Sequence, residues 1–155
     1  MSDNTPQVNK AGKPPPKWVL KGYTHFNVWV YRLSGGRLMN KLGPDPIVLV
    51  TMTGARSGKQ RTIPLMYVPY GEGVLLVASQ GGMPKHPVWY HNLVAHPDIV
   101  VEQGGTRKKL RARIADNTEK ARLWPLCVEH YAPYEQYQQR TNRDIPVFVC
   151  EPRGK

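Results

Sequence analysis

Between residues 47 and 79, three strand-like runs follow one another across turns too short to hold a helix, and this restricts the fold more than any other stretch of the chain. Residues 47–53 are a continuous β-branched and apolar run, and Gly54-Ala55-Arg56-Ser57-Gly58-Lys59-Gln60-Arg61 turns the chain. Residues 62–68 alternate, Tyr70-Gly71-Glu72-Gly73 turns it again, and residues 74–79 form the third run. Strands joined this tightly lie antiparallel, because a parallel return needs a crossover of a dozen or more residues. Residues 98–102 and 108–115 make another pair around Gly104-Gly105, and residues 145–150 a last strand.

Helices are inserted singly among these strands. Pro87 suits the first turn of a short helix that ends before Pro97. Asn117 can cap a helix to about His130, Pro133 breaks it, and a further short helix covers 134–140. Near the start of the chain, Val19, Tyr23, Phe26, Val30 and Leu33 recur at steps of four and three, which predicts an amphipathic helix over 18–33 flanked by Lys17, Lys21 and Arg32. Ser34-Gly35-Gly36 ends it, and Gly43-Pro44-Asp45-Pro46 closes a loop. The expected class is mainly β with added helices (α+β): an antiparallel, closed or partly closed barrel of about six strands. The chain has no Gly-x-Gly-x-x-Gly turn and no helix after most strands, which argues against a doubly wound nucleotide fold.

A chain of 155 residues supports one domain with a real core, expected over 18–152, behind a Pro/Lys-rich arm at 1–17 and before a tail at 153–155. The arm carries Pro6, Pro14, Pro15 and Pro16 and no apolar segment of a secretory signal, and no run approaches the roughly 20 apolar residues of a spanning helix. Cys127 and Cys150 fall in no metal-binding or redox spacing, so a cytoplasmic, reduced protein is the simplest expectation. The formal charge of +11 favours anionic partners: nucleic acid, an anionic bilayer face or a polyanionic small molecule.

Two features narrow that choice. Arg56, Lys59 and Arg61 crowd the first hairpin turn, and Ser79-Gln80-Gly81-Gly82 leads through Pro87 into a helix beginning near Val88 and Trp89. Glycines let backbone N–H groups approach a phosphate at the positive end of a helix, and cations at a turn can hold an anionic tail. Together they suggest a phosphorylated cofactor. Tyr131, Tyr134 and Tyr137 recur every three residues; such a stripe can be packing, or it can face a cavity and orient or protonate a polar substrate. Ser79 ends a strand where its hydroxyl can aim into a pocket mouth. His86, His91 and His96 are spaced by five, which puts no two on one helix face, and no metal is expected. Residues 107–113 look like the solvent face of an edge strand; without interleaved aromatics they make a poor nucleic-acid groove.

These segments resemble the deazaflavin-dependent nitroreductases of actinobacteria, a family of split β-barrels. The matching stretches are Thr53-Gly54-Ala55-Arg56-Ser57-Gly58 through Arg61 and Pro64-Leu65; Ala78-Ser79-Gln80-Gly81-Gly82; Pro87-Val88-Trp89-Tyr90-His91-Asn92-Leu93 with His96-Pro97; Tyr134-Glu135-Gln136-Tyr137-Gln138; and Arg143-Asp144-Ile145-Pro146-Val147 with Cys150-Glu151-Pro152. The resemblance implies coenzyme F420, an 8-hydroxy-5-deazaflavin with a phospholactate and oligoglutamate tail, and hydride transfer to quinones, nitroaromatics or activated double bonds. It implies cofactor contacts at Arg56, Ser57, Arg61, Gln80, Gly81, Gly82, Pro87, Val88 and Trp89, with Pro64 and Ala78 along the ring. It implies substrate-facing groups at Ser79, Tyr131, Tyr134 and Tyr137, with Tyr137 the expected proton donor. Members of the family often carry Lys at the position of Gln80.

Three other readings of the same residues stay open on sequence grounds. An FMN oxidoreductase on a similar barrel would use the same phosphate-binding logic, a carrier could hold deazaflavin without catalysis, and a basic module could dock on membrane or nucleic acid. The basic stretch at 18–33 adds the expectation of peripheral membrane contact, where a lipid-soluble quinone would be met.

Overall fold

Strand polarity and two prolines explain the architecture of the computed structural model, which describes residues 41–42 and 45–153. Eight strands form a single antiparallel sheet: β1 (Lys41–Leu42), β2 (Asp45–Thr53), β3 (Gln60–Met66), β4 (Val68–Tyr70), β5 (Gly73–Val77), β6 (Asp98–Gln103), β7 (Thr106–Ile114) and β8 (Val147–Pro152). The order is β1-β2-β6-β7-β8-β5-β4, with β3 paired to β2. Among the described residues β3 pairs only with β2 and β4 only with β5, and these two edge strands are consecutive in the chain and separated only by Tyr67, so the sheet must curl until they approach. That is a barrel with one open seam. Pro64 lies in β3 and Pro69 in β4, both edge strands, where a missing N–H costs no ladder bond and blocks a further strand from adding.

The 62–68 run expected as one strand is thus two. The Tyr67 N–H donates to the Pro46 carbonyl at 3.0 Å, the last tie to β2, and from Val68 the chain pairs with β5 instead. The strand count rises from about six to eight through this break and through the two-residue β1. The basic run at 107–113 is also not an edge: β7 pairs with β6 on one side and β8 on the other. Its outward arginines survive in mid-sheet because carboxylates meet them, Arg111 with Asp98 at 2.8 Å and Arg113 with Glu119 at 2.6 Å and Glu151 at 3.0 Å. The amphipathic segment at 18–33, the arm at 1–17 and the loop glycine and proline at 43–44 lie outside the described residues.

Helix α1 (Val88–Ala95) follows a 3-10 turn at Gln80–Gly82, while α2 (Asn117–His130) and α3 (Pro133–Arg140) lie between β7 and β8. The cap of α2 is Asp116 rather than Asn117: its side chain accepts the Glu119 N–H at 2.8 Å. Pro133 begins α3 at a position where its lost donor is harmless.

Side chains alternate across the sheet and build two cores. Val74, Leu76, Ala78, Phe148 and Cys150 point into the barrel and meet Trp89 and Leu93 of α1. Their neighbours Leu75, Val77, Val147 and Val149 face outward, where Leu123, Cys127 and Tyr134 cover them. Strands β5 and β8 are therefore apolar on both faces, as their continuous hydrophobic runs require. Each such side chain stabilises the fold by roughly 1.5–3 kcal/mol on burial, so the outer layer of α2 and α3 is a necessary part of the domain. Among the described residues, no helix is long and apolar enough to cross a membrane.

Candidate active site

A cavity of about 210 Å³ opens where the two cores meet. Ile47 of β2, Pro64, Leu65 and Met66 of β3, and Val77 at the end of β5 give it apolar walls, with Trp89 of α1 at one side. Because β3 is paired on one side only, consecutive residues of the strand reach the space along its free edge. Polar groups converge from two other directions. Ser79 and Gln80 come from the loop after β5, and Tyr131, Tyr134 and Tyr137 from the turn into α3 and from α3 itself.

The three tyrosines are mutually packed. Tyr131 lies edge-on to Tyr134 with centroids 4.9 Å apart, and the Tyr131 and Tyr137 hydroxyls are 3.2 Å from each other. The Arg140 guanidinium sits 5.5 Å from the centroid of the Tyr137 ring. Ser79 is 7% exposed, and its hydroxyl makes no hydrogen bond among the described residues, so a ligand in the cavity can use it both as donor and as acceptor.

The loop that carries Ser79 and Gln80 has unusual backbone. Gln80 has φ of 44°, the one positive value for a non-glycine among the described residues, and Gly81 and Gly82 follow at 63° and 79°. Gln80 is held in a conformation that L-residues avoid, at a cost of order 1–3 kcal/mol, as found at ligand clamps. Gly82 is fixed by a second constraint. A Cβ there would stand 2.6 Å from the Tyr137 carbonyl oxygen and 3.0 Å from the Arg140 Cβ, so the glycine lets the loop press against α3.

The cationic hairpin lies on the same strand as the cavity wall. Arg56, Ser57, Lys59 and Arg61 are exposed at the β2–β3 turn, and Arg61 lies three positions before Pro64, roughly 10 Å along an extended strand. The Ser57 hydroxyl accepts the Lys59 N–H at 3.2 Å, and the Gly54 N–H donates to the Lys59 carbonyl at 2.8 Å, which closes the turn. Acidic partners are elsewhere: Asp98, Glu102, Glu119, Asp144 and Glu151 pair with Arg111, Arg107, Arg113 and Lys120. Among the described residues, Arg56, Lys59 and Arg61 form no ion pair. The turn thus presents three exposed cations close to one another.

Of the residues singled out from sequence, the cavity gathers Pro64, Ser79, Gln80, Trp89 and the three tyrosines. Arg56, Ser57 and Arg61 stand at the hairpin. Gly81 is exposed beside the cavity loop, Gly82 is buried under α3, Pro87 is buried, and Val88 is exposed at the start of α1. Ala78 is fully buried in the barrel core directly before Ser79. Ile47, Met66 and Val77 also line the cavity but look in sequence like any other strand residues, and two further residues without a sequence signal hold the site together. Asn92 of α1 accepts the Ala55 N–H at 2.9 Å, and Arg143 donates to the carbonyls of Ser79 and Met83 at 2.8 and 2.9 Å. Both lie in stretches quoted above, without a chemical reason attached to either. Cys127 and Cys150 are buried in the cores, where desolvation pushes their thiols up to about 11 and about 12, so neither supplies a nucleophile here.

Comparison with known proteins agrees with this geometry. The family model described as F420H(2)-dependent quinone reductase matches residues 23–152. An F420H(2)-dependent quinone reductase of Mycobacterium tuberculosis is 40% identical over 128 residues, which cover 80% of this chain and 86% of the relative. A second, putative enzyme of that name from the same organism is 39% identical over 110 residues, 71% of this chain and 92% of its own. Among solved structures, an F420-H2 dependent reductase (FDR-A) superposes with a TM-score of 0.65 at 48% identity, over 68% of this chain and 94% of that one. A chain solved as a domain-swapped dimer gives 0.68 at 40% identity, over 89% and 100%. The haem storage protein HutZ of Vibrio cholerae, with a TM-score of 0.52 at 14% identity over 70% of this chain and 82% of its own, shares the fold alone.

Proposed function

Because this chain belongs to the F420H(2)-dependent quinone reductase family, we propose that it is an F420-dependent oxidoreductase whose electron acceptor, a quinone or a similarly electron-poor ring, lies against the three tyrosines of the cavity. The observation that carries this reading is the joining of two sites by one strand: β3 lines the cavity with Pro64, Leu65 and Met66 and bears Arg61 at the mouth of the cationic turn. A ring in the cavity and an anionic tail at the turn belong to one ligand.

The residues present fit that coenzyme. At about 210 Å³ the cavity is below the roughly 300 Å³ at which pockets for whole drug-sized ligands begin, so it suits a planar ring and leaves a long polar tail outside. Pro64 and Trp89 would pack on the ring, with Ala78 supporting it from below and Gln80 and Gly81 at its polar edge. Arg56, Ser57 and Arg61 would hold the tail, and Gly82, Pro87 and Val88 shape the entry to α1 along its course. The reduced deazaflavin, when bound, supplies the hydride.

The chain's own contribution is binding, orientation and a proton. A tyrosine hydroxyl is a hydrogen-bond donor and can donate to an oxyanion developing on the substrate. Tyr137 is our choice of donor, oriented by the Tyr131 hydroxyl, while Ser79 offers a second hydrogen bond from the loop after β5.

The test is paired: titration of the pure protein with F420 and with FMN, followed by anaerobic oxidation of reduced F420 in the presence and absence of a soluble naphthoquinone. Tight binding of F420 with quinone-dependent oxidation is expected. Preference for FMN, or F420 binding without turnover, would replace this reading by a flavin enzyme or a carrier.

We extend the reading to location. A basic, amphipathic sequence at 18–33 and a net charge of +11 suit a cytoplasmic protein that touches the inner face of the membrane, where quinones reside. Sedimentation with anionic liposomes, with and without residues 1–33, is expected to show binding that truncation removes; equal sedimentation of both forms rejects the anchor.

A further inference from the structure

We propose that Arg143 is the positioning residue of the loop that carries Ser79 and Gln80, and that His86 is its pH-sensitive partner, so that coenzyme affinity falls when His86 gains a proton. This rests on the reading above that the cavity receives a deazaflavin ring.

The loop between β5 and α1 makes few contacts of its own. Its internal backbone bonds run from the Gly82 N–H to the Ser79 carbonyl at 2.9 Å and from the Met83 N–H to the Gln80 carbonyl at 3.1 Å. Three successive positive φ values oppose it. Arg143 grips it at its start, middle and end: Nη2 donates to the Ser79 carbonyl at 2.8 Å, Nε to the Met83 carbonyl at 2.9 Å, and Nη1 to His86 Nδ1 at 3.0 Å. A guanidinium reaches three separated acceptors because its donors are fixed in a planar fork; a lysine ammonium is a single point and cannot.

The grip is itself anchored. The Arg143 carbonyl accepts from Gln138 Nε2 at 2.8 Å, and Gln138 Oε1 accepts both the Ile145 N–H at 3.0 Å and Lys120 Nζ at 3.1 Å. Lys120 is ion-paired in turn with Asp144. The loop wall of the cavity is thus tied to α2 and α3, the elements that present the tyrosines.

Arginine has no acceptor, so His86 Nδ1 must offer a lone pair, and the ring is neutral with its hydrogen on Nε2. The groups facing it are Arg143, Tyr90 stacked at 4.1 Å, and His91 edge-on at 6.4 Å. Burial first, then the charges of Arg143 and His91, hold its pKa below the ordinary value of 6.5. A proton on Nδ1 abolishes the acceptor and sets a second cation against the guanidinium. The folded-state value is depressed, so the contact is intact above pH 6.5 and is lost as pH falls through that lower value.

The experiment measures F420 dissociation constants by tryptophan quenching from pH 5 to 8, and melting temperatures without ligand, for the wild type, Arg143→Lys and His86→Asn. Arg143→Lys is expected to weaken binding about tenfold or more at pH 8, since a lysine cannot keep all three contacts and even one charge-assisted hydrogen bond is worth about that factor. Asparagine retains an acceptor but does not titrate. His86→Asn should therefore lack the part of the acid-side loss of affinity that the coenzyme's own ionisations do not cause, and its melting temperature should fall less than the wild type's below pH 6.5. Wild-type affinity in Arg143→Lys, or superimposable pH profiles for wild type and His86→Asn, overturns the proposal. If Arg143→Lys fails to fold, the His86→Asn profiles decide alone. If the wild type binds no F420, the proposed function fails, and the ligand-free melts still confirm or reject the Arg143–His86 pair.

Discussion

Asn92 Oδ1 accepts the Ala55 N–H at 2.9 Å, which fastens the start of the cationic turn to helix α1. Asn92 is buried, and its amide nitrogen reaches Met52 Sδ at 3.6 Å inside the barrel. The hairpin that carries Arg56 and Arg61 and the helix that carries Trp89 therefore hold one geometry. Asn92→Leu removes the acceptor at similar volume. Ala55 is exposed and its N–H can turn to water, so stability should fall by only about 1 kcal/mol in chemical denaturation. Affinity for intact F420 should fall by about tenfold at most, while the tail-free 8-hydroxy-5-deazaflavin chromophore binds as before. Equal losses for both ligands would mean that the cavity itself had deformed and that the tether is not specific to the tail.

Arg56→Ala and Arg61→Ala test the assignment of the tail. Each should weaken F420 binding about tenfold at low ionic strength and make the dependence of affinity on salt shallower, because an exposed charge contact is screened within about 10 Å at 0.1 M salt. Isothermal titration at two salt concentrations reads both effects. Unchanged affinity at low salt would place the tail elsewhere on the basic surface.

The hydroxyls of Tyr131 and Tyr137, 3.2 Å apart, should act as a unit. Tyr137→Phe is expected to lower kcat about 10²-fold with little change in F420 affinity, the usual scale for a lost proton donor. Tyr131→Phe should cost less, since it removes only the partner that orients Tyr137, and the double variant should be no slower than Tyr137→Phe alone. Additive losses in steady-state turnover would separate the two residues and give each an independent role.

Much of this molecule is legible locally. The strands at 47–53 and 98–102, the last strand, which runs over Val147–Pro152 two residues later than the expected 145–150, the helix between Pro87 and Pro97, and the turn at Arg56–Arg61 announce themselves through β-branched runs, prolines and charge, because each depends on neighbours within a few residues. What escaped notice depends on distance. Arg143 serves residues 57 and 64 positions away, and Asn92 a residue 37 positions away, so nothing near either one in sequence signals its task. The misjudged β7 has the same origin. Its alternating arginines look solvent-facing whether the strand is at an edge or in mid-sheet, and the carboxylates that make the interior position tolerable, Asp98, Glu119 and Glu151, stand on other elements of the fold. Likewise the break at Tyr67 follows from the curl of the sheet, which no property of residues 62–68 reports.

Gly81 and Gly82 look alike in sequence and should respond differently to alanine. At Gly81, with φ of 63°, a Cβ would meet nothing within 4 Å, so Gly81→Ala costs only the left-handed backbone, about 1–2 kcal/mol. At Gly82 the same methyl would stand 2.6 Å from the Tyr137 carbonyl oxygen, which is backbone of α3 and cannot rotate aside. The steric cost adds to the conformational one, for about 2–5 kcal/mol in all, and relief requires α3 to move away from the loop. Since α3 carries Tyr134 and Tyr137 on the cavity wall, Gly82→Ala should also lower kcat when assayed below its melting transition, whereas Gly81→Ala should not do so through this route. Denaturation midpoints for the two variants decide the matter: equal destabilisation would mean that the loop does not bear on α3, and the link between the glycines and the tyrosine wall would fail.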